Sequence, residues 1–432
     1  MRRAIRLAPR ITYTPLNLSR WLVWTCFALV LLAAPLLFTK GAALSILCQI
    51  GTVIIFGLSY NMLLGQGGML SFGHAVYSGL GAFFAIHAMN GAAGVHVPTT
   101  LIPLVGGFAG MGFGVLFGYV TTRKSGTTFA MITLGLVELV FAGSLMFPGF
   151  FGGEGGVTTN RALGQPFMGI TFGPQIQVYY LIAGWLFVST IAMFAFTQTP
   201  LGRMLNAVRD NPERVGFIGY DPQWVRYLTL ILSAFFAGIS GALSAINFEI
   251  VSAENVSALR SGGILLFVFI GGIGFFFGPL VGAVVGIFFT VMLSEYTAAW
   301  QLYLGLFFIA LVRFAPGGLS SLLMLLVRVA RFGKFGRLWR PLLAVVLPAM
   351  VGVLGLVFGI ELLYHLTLDS ANGSVTRVFG LQFDTRSLTP WLAAALAMLA
   401  AFAGYRRTQP VYMAAWGEVN AEIAAKLKGG VA

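Results

Sequence analysis

Six charged residues, Arg203, Arg209, Asp210, Glu213, Arg214 and Asp221, crowd into GRMLNAVRDNPERVGFIGYD (202–221), in a chain with only 26 basic and 13 acidic residues among 432. Arginines alternating with carboxylates over so short a stretch suit charge-assisted hydrogen bonding to a complementary protein surface. The plain alternative is a solvated connector. Local signals favour a built surface. Thr199-Pro200 supplies a hydroxyl cap and a proline at the first helical position. Pro212 disfavours helical backbone at Asn211, so that helix must stop there. Pro212 and Glu213 then open a second short helix, with Asp210 or Asn211 as its cap. Gly219 and Asp221-Pro222 end it in a turn. The expected product is a pair of short, charged, amphipathic helices.

A second polar stretch, GQGGMLSFGH (65–74), is glycine-rich and bounded by apolar runs. It is either a turn or a broken helix that dips into the membrane, where free backbone groups suit a polar solute. For Gln66, Ser71 and His74 two roles stand side by side, contact with a solute path and structural hydrogen bonding. Glu138 is the one acid near the middle of an apolar run, where a charge costs roughly 2.5–3.5 kcal/mol, so it is expected to face protein or water. It either contacts the ammonium group of a transported solute or is protonated and hydrogen-bonded within the bundle. Glu154, in FFGGEGGVTTN, is expected at a loop mouth, as a gate or docking residue or simply exposed.

No other motif carries chemistry. G-x-x-x-x-G-K-S/T does not occur, and Gly333-Lys334 in RFGKFG lacks both the leading glycine and the hydroxyl. There is no H-E-x-x-H and no G-x-S-x-G, and His74, His87, His96 and His365 are scattered. No catalytic residue and no metal site is expected, and the chain does not read as an enzyme. Cys26 and Cys48 lie in apolar runs and read as small buried hydrophobes.

The elements that must position these residues are set by composition. At 58% hydrophobic and 9% charged, the chain is far from the roughly 25% charged residues of soluble domains. Apolar runs lie near 21–38, 42–64, 70–89, 99–120, 125–147, 178–197, 228–247, 262–276, 279–294, 297–313, 341–362 and 390–404, with 262–294 readable as one bent unit. Many approach the ~18–20 residues that cross a hydrocarbon core. The expected fold is an all-α polytopic integral membrane protein with about 10–12 transmembrane helices. The run at 21–38 is long for a signal-peptide core, so an uncleaved first span is expected.

Placing the N-terminus in the cytoplasm and alternating sides puts 21 cations inside and 5 outside. The positive-inside rule selects that orientation, with both termini and the charged loop cytoplasmic. The same clustering beside apolar runs explains the net charge of +13 without nucleic acid. Gly106, Gly110, Gly114 and Gly118 recur at spacing four, as do Gly274, Gly278, Gly282 and Gly286, so each series is expected on one helix face as a packing seam.

Three segments carry a resemblance. GRMLNAVRDNPERVGFIGYDPQWVRYLTLILSAFFAGISGALSA (202–245), YNMLLGQGGMLSFGHAVYSGLGAFFA (60–85), and GGIGFFFGPLVGAVVG (271–286) followed by RFAPGGL (313–319) resemble the permeases of branched-chain amino acid ABC importers, in their LivM-like branch. The likeness runs in order over about residues 40–320. It implies a transmembrane subunit working with two cytoplasmic ABC ATPases, a second permease subunit (LivH-like or a copy of itself) and a periplasmic solute-binding protein. ATP and Mg would bind the ATPases, with no cofactor on this chain. Residues 198–226 become the coupling loop, with Arg203, Arg209, Asp210, Asn211, Pro212, Glu213, Arg214 and Gly219 meeting the ATPase. The setting implied is the bacterial inner membrane.

The expected organisation is a basic cytoplasmic N-terminus (1–20), a permease domain (21–320) and a C-terminal extension (321–432). The extension adds one pair of spans, a cytoplasmic tail and a basic stretch, RVARFGKFGRLWR (328–340), expected on anionic lipid of the inner leaflet. The rival expectation is an autonomous secondary transporter. It needs intramembrane coupling-ion acids, and Glu138 is the sole clear one.

Overall fold

Without water to satisfy them, the backbone groups of long apolar runs close on themselves as helix. The computed structural model describes residues 18–91, 97–163, 171–368, 374–378 and 380–428. Arg2, Arg3, Arg6, Arg10 and His96 lie outside the described residues. The helices are α1 (Leu18–Leu37), α2 (Gly41–Gly67), α3 (His74–Met89), α4 (Ile102–Thr121), α5 (Thr127–Met146), α6 (Pro148–Phe151), α7 (Gln175–Gln198), α8 (Pro200–Asp210), α9 (Pro212–Phe217), α10 (Pro222–Phe248), α11 (Ala258–Gly271), α12 (Gly278–Ile287), α13 (Trp300–Phe314), α14 (Gly318–Arg331), α15 (Phe335–Leu368) and α16 (Leu388–Lys428). Two antiparallel ribbons accompany them: β1 (Val157–Thr158) on β2 (Ile250–Val251), and β3 (Val375–Val378) on β4 (Leu381–Asp384).

The protein is an all-α polytopic membrane protein. Among the described residues eight helices are long and apolar enough to cross a membrane, or nine if the bent pair α13–α14 is one span. The lower number has a physical reason. The runs at 21–38, 70–89 and 262–276 yield the short apolar helix Trp21–Leu37 and helices α3 and α11, the last two of 16 and 14 residues, all of which at 1.5 Å per residue fall short of the hydrocarbon thickness.

The chain divides into two compact units, Met1–Phe269 and Ile270–Ala432. In the first, α10 is the central helix, covered by α4, α3 and α2. Small residues let these backbones touch. A Cβ on Gly106 would stand 2.6 Å from that of Ala242, and one on Gly114 would stand 2.8 Å from that of Ala234. Gly110 meets the Ala234 carbonyl, and Gly118 meets Leu230 and Tyr227. From the α10 side, Gly238 lies on the Gly106 carbonyl and Gly241 on the Ser78 carbonyl of α3. Two hydroxyls lace α10 to α2: Ser233 donates to the Ser59 carbonyl at 2.6 Å and Ser240 to the Thr52 carbonyl at 2.7 Å. Cys48 is buried, whereas Cys26 is exposed on α1 and so is not the buried hydrophobe expected of it.

In the second unit the glycines of GGIGFFFGP and FAPGGL interlock. Gly271 abuts the Gly278 carbonyl, Gly272 (φ +108) the Gly317 carbonyl, and Gly318 (φ +76) the Gly272 backbone. Gly278, Gly282 and Gly286 are buried on α12. Gly274 corrects the expected seam: it stands ahead of the helix, exposed, with nothing near its side-chain position. The chain needs the 272–277 turn to reverse direction, and that displaces Gly274 from the helical repeat.

Helices α15 and α16 pair through Gly352 on Ala401 and Gly355 on Ala397, where a Cβ added to either glycine would stand 3.1 Å from the alanine Cβ. The basic stretch 328–340 breaks at Gly333 (φ +67). Two of its cations pair within the unit, Lys334 partly buried against Glu422 and the exposed Arg337 reaching Glu422 at 2.8 Å. Arg328 and Arg331 stay exposed.

Candidate functional site

The charged loop folds as its punctuation dictates. Thr199 Oγ1 accepts from the Gly202 amide at 3.2 Å and starts α8. Asn211 Oδ1 accepts from the Arg214 amide at 3.0 Å and starts α9, so Asn211, not Asp210, is the cap. Asp221 Oδ1 accepts from the Gln223 amide at 2.8 Å and starts α10. Three capped starts within about 25 residues hold the connector rigid.

The α8 helix has two faces. Inward, Leu205 packs 3.1 Å from the side-chain position of Gly67, and Asn206 donates to Gln66 Oε1 at 3.0 Å. Arg209 Nη1 donates to the Gly65 carbonyl at 2.6 Å, and its stem covers Gly68 (φ +65). A cation thus caps the C-terminal end of α2, where the helix dipole favours it. Outward, Arg203, Asp210, Pro212, Glu213, Arg214 and Gly219 (φ +89) are exposed. Arg209 also pairs with Asp210 at 3.1 Å.

The tip of the connector is apolar, which the charge pattern concealed. Phe217 is 88% exposed, with Ile218, Tyr220 and Trp224 beside it in sequence.

Beyond Gly68 the chain turns back along α2. The Met69 amide donates to the Leu63 carbonyl at 3.0 Å, and the Tyr60 hydroxyl to the Ser71 carbonyl at 2.9 Å. His74 Nε2 lies 3.0 Å from Ser59 Oγ, with its ring stacked on Phe56. Helix α3 therefore begins level with Ser59, about 12 Å from the end of α2 that carries α8. The Phe72 amide is anchored on Thr133 of α5 at 3.1 Å.

Helix α11 also starts inside the unit. Its Ser261 Oγ accepts from the Ala75 amide at 2.9 Å, so the first turns of α3 and α11 meet N-terminus to N-terminus. Three fully buried polar atoms near this junction, Ser71 Oγ, His74 Nδ1 and the Tyr77 hydroxyl, have no hydrogen-bond partner among the described residues. Leaving each unmade costs about 1–3 kcal/mol.

The opposite end of the unit is fastened by Arg161, one of the five cations that the positive-inside count places outside. Its guanidinium donates to the Phe172, Ile246, Asn247 and Gly173 carbonyls and to Gln175 Oε1. Its backbone amide binds Glu249 Oε1 at 2.9 Å, where Glu249 (φ +57) caps α10. The signal was Arg161 beside the glycine-rich loop, but its partners are mostly carbonyls, which a sequence pattern does not reveal. An Arg161→Ala chain is expected to lose on the order of 2–4 kcal/mol of stability. Thermal denaturation of the detergent-solubilised protein measures it as a lower midpoint.

The five candidate path residues do not converge. Gln66 sits against α8, while Ser71 and His74 are sealed beside α2 and α3. Glu138 is exposed on α5 and makes no hydrogen bond or ion pair among the described residues, so the reading that bonded it within the bundle does not hold for this chain. Glu154 is exposed in the turn Gly153–Gly155, just before the β1–β2 ribbon.

The family model described as branched-chain amino acid transport system / permease component matches residues 42–315. The high-affinity branched-chain amino acid transport system permease protein LivM of Escherichia coli K12 is 27% identical over 288 residues, 62% of this chain and 67% of the relative. The protein of the same name from Salmonella typhimurium LT2 is 26% identical over 312 residues, 67% of this chain and 72% of the relative. No solved structure matches. A family model aligned to well over half the chain, across α2 to α13, decides the matter: the chain belongs to the family of branched-chain amino acid transport system permease components.

Proposed function

We propose that the chain is the membrane-spanning subunit of an ATP-driven ABC importer that moves branched-chain amino acids or related small polar solutes across the bacterial inner membrane by alternating access. The observation that carries this reading is mechanical continuity. The α8–α9 connector is rigid, exposes a charged and apolar outer face, and is clamped through Arg209 and Asn206 to residues 65–68, which lead directly into the segment ending at His74. A push on the outer face reaches the start of α3 through the short turn 68–73, which is tied back to α2 by the Met69 amide and the Tyr60 hydroxyl.

In this reading the outer face meets one of the two cytoplasmic ATPases of the assembly, which bind the ATP and Mg. Arg203, Asp210, Glu213 and Arg214 supply charge there and Phe217, Ile218 and Tyr220 apolar contact, while Arg209, Asn211, Pro212 and Gly219 shape the connector. Both termini are cytoplasmic, and residues 321–432 form an extension to the permease domain whose free cations meet anionic lipid. Glu138 favours a second permease subunit: an acid on the exposed face of a membrane helix, flanked by Gly135 and Ala142, calls for a protein or aqueous neighbour. A periplasmic binding protein delivers the solute.

The test is reconstitution. Proteoliposomes holding the chain with its ATPases, sister permease and binding protein are expected to take up solute only with ATP. The chain alone is expected to move none along an ion gradient. Uptake by the chain alone, driven by such a gradient, would instead establish the secondary-transporter reading.

A further inference from the structure

A cavity of about 160 Å³ lies in the first unit, walled by Ala82, Ser244, Phe248, Ser252, Asn255 and Arg260 among others. Arg260 is the only cation in its wall. Its guanidinium donates to Asn255 Oδ1 and lies 6.0 Å over the Phe56 ring. No carboxylate among the described residues pairs with it, since the ion pairs there involve Arg161, Arg209, Lys334 and Arg337. A guanidinium offers five N–H donors in a planar fork, and the protein engages one of them through Asn255. Enclosing such a group in an apolar bundle without a counter-charge is costly. What satisfies it best is a planar anion taken two-pronged. The first turns of α3 and α11, meeting at Ala75 and Ser261, add their positive ends nearby. Ser244 and Ser252 bring hydroxyls to the same wall.

We propose that this cavity is a carboxylate-binding station on the solute path, in which Arg260, held by Asn255, receives the carboxylate of an amino-acid-like solute. The inference rests on the importer reading above. It adds the group recognised and the residue that recognises it.

Uptake of radiolabelled L-leucine and of L-leucinamide, which lacks the carboxylate charge, is measured in proteoliposomes of the complete assembly. Arg260→Gln is expected to raise the KM for leucine on the order of tenfold or more, with leucinamide uptake little changed. Arg260→Lys, which keeps the charge, is expected to recover most of the loss. Asn255→Asp gives Arg260 a resident carboxylate without removing a buried charge. It is expected to block leucine as Arg260→Gln does while the protein remains abundant in the membrane. If Arg260→Gln fails to insert, Asn255→Asp decides alone. Leucine uptake within twofold of wild type in Asn255→Asp, or equal losses for leucine and leucinamide, overturns the proposal. A wild-type assembly that moves neither probe counts against the importer reading, and this inference falls with it.

Discussion

A Gly238→Val chain is expected to be absent from the membrane, or recovered only as misassembled protein. Gly238 sits where α10 crosses both α3 and α4. A Cβ there would run into the Gly106 carbonyl and stand 3.1 Å from the Gly107 Cα. Both obstacles are backbone, so no side chain can rotate away. Gly81 faces the same spot from α3, where a Cβ added to it would stand 2.6 Å from the Gly238 Cα. Overpacking a close-packed core costs typically 1–3 kcal/mol where side chains can adjust. Here three helices must separate, and the loss is expected to exceed that range. Fluorescence-detected size exclusion of tagged protein reads it directly. As a control, Gly112→Val on the exposed side of α4, where nothing lies within 4 Å, is expected to behave as wild type. A stable, monodisperse Gly238→Val protein would show that the seam is less tight than described.

The second large effect is functional and leaves the fold in place. Arg209→Glu is expected to cut ATP-driven uptake by the complete assembly more than tenfold, while the protein inserts normally. The substitution removes the donor to the Gly65 carbonyl and sets a carboxylate at the negative end of α2, beside Asp210. Because the guanidinium is partly solvated, the stability change is expected to be only about 1–2 kcal/mol. The link between connector and residues 65–68 nevertheless loses its strongest polar bond. ATP hydrolysis by the assembly is expected to continue without uptake, the signature of a broken transmission. Asp210→Asn, which keeps the Gly65 bond intact, is expected to have a much smaller effect. Uptake and hydrolysis that stay coupled in Arg209→Glu would remove Arg209 from the path.

The sequence reading reached the connector's architecture because its signals are local. Thr199-Pro200 and Asn211-Pro212 each specify a helix start from neighbouring residues alone, and both starts form; Asp221-Pro222, read only as the turn that ends the second helix, also caps the start of α10. The α4 glycines were equally legible, since spacing four on one helix leaves little freedom. What stayed hidden depends on distant partners. Arg209 looked like a docking charge, but its main bond is to a carbonyl 144 residues away. Hydropathy could not separate a full span from α3 or α11, whose starts are fixed by Ser59, Thr133 and Ser261 rather than by local polarity. The β3–β4 ribbon depends on cross-strand pairing that no helical period reveals. Gly274 failed as a seam residue because a repeat of four was extended across a turn.

The bond between Ala75 and Ser261 spans 186 residues, and it bears on how the molecule is made. Synthesis runs from the amino end, so when α3 leaves the ribosome the hydroxyl that caps it has not yet been translated, nor has the helix whose glycines receive its backbone. Until then a 16-residue segment, too short to hold itself across a bilayer, must wait in a provisional position. Biogenesis is therefore gated by the arrival of α10 and α11. Truncated chains ending before residue 261 should leave α3 open to proteases and to thiol-reactive labels placed along it, and chains extended past that point should close it.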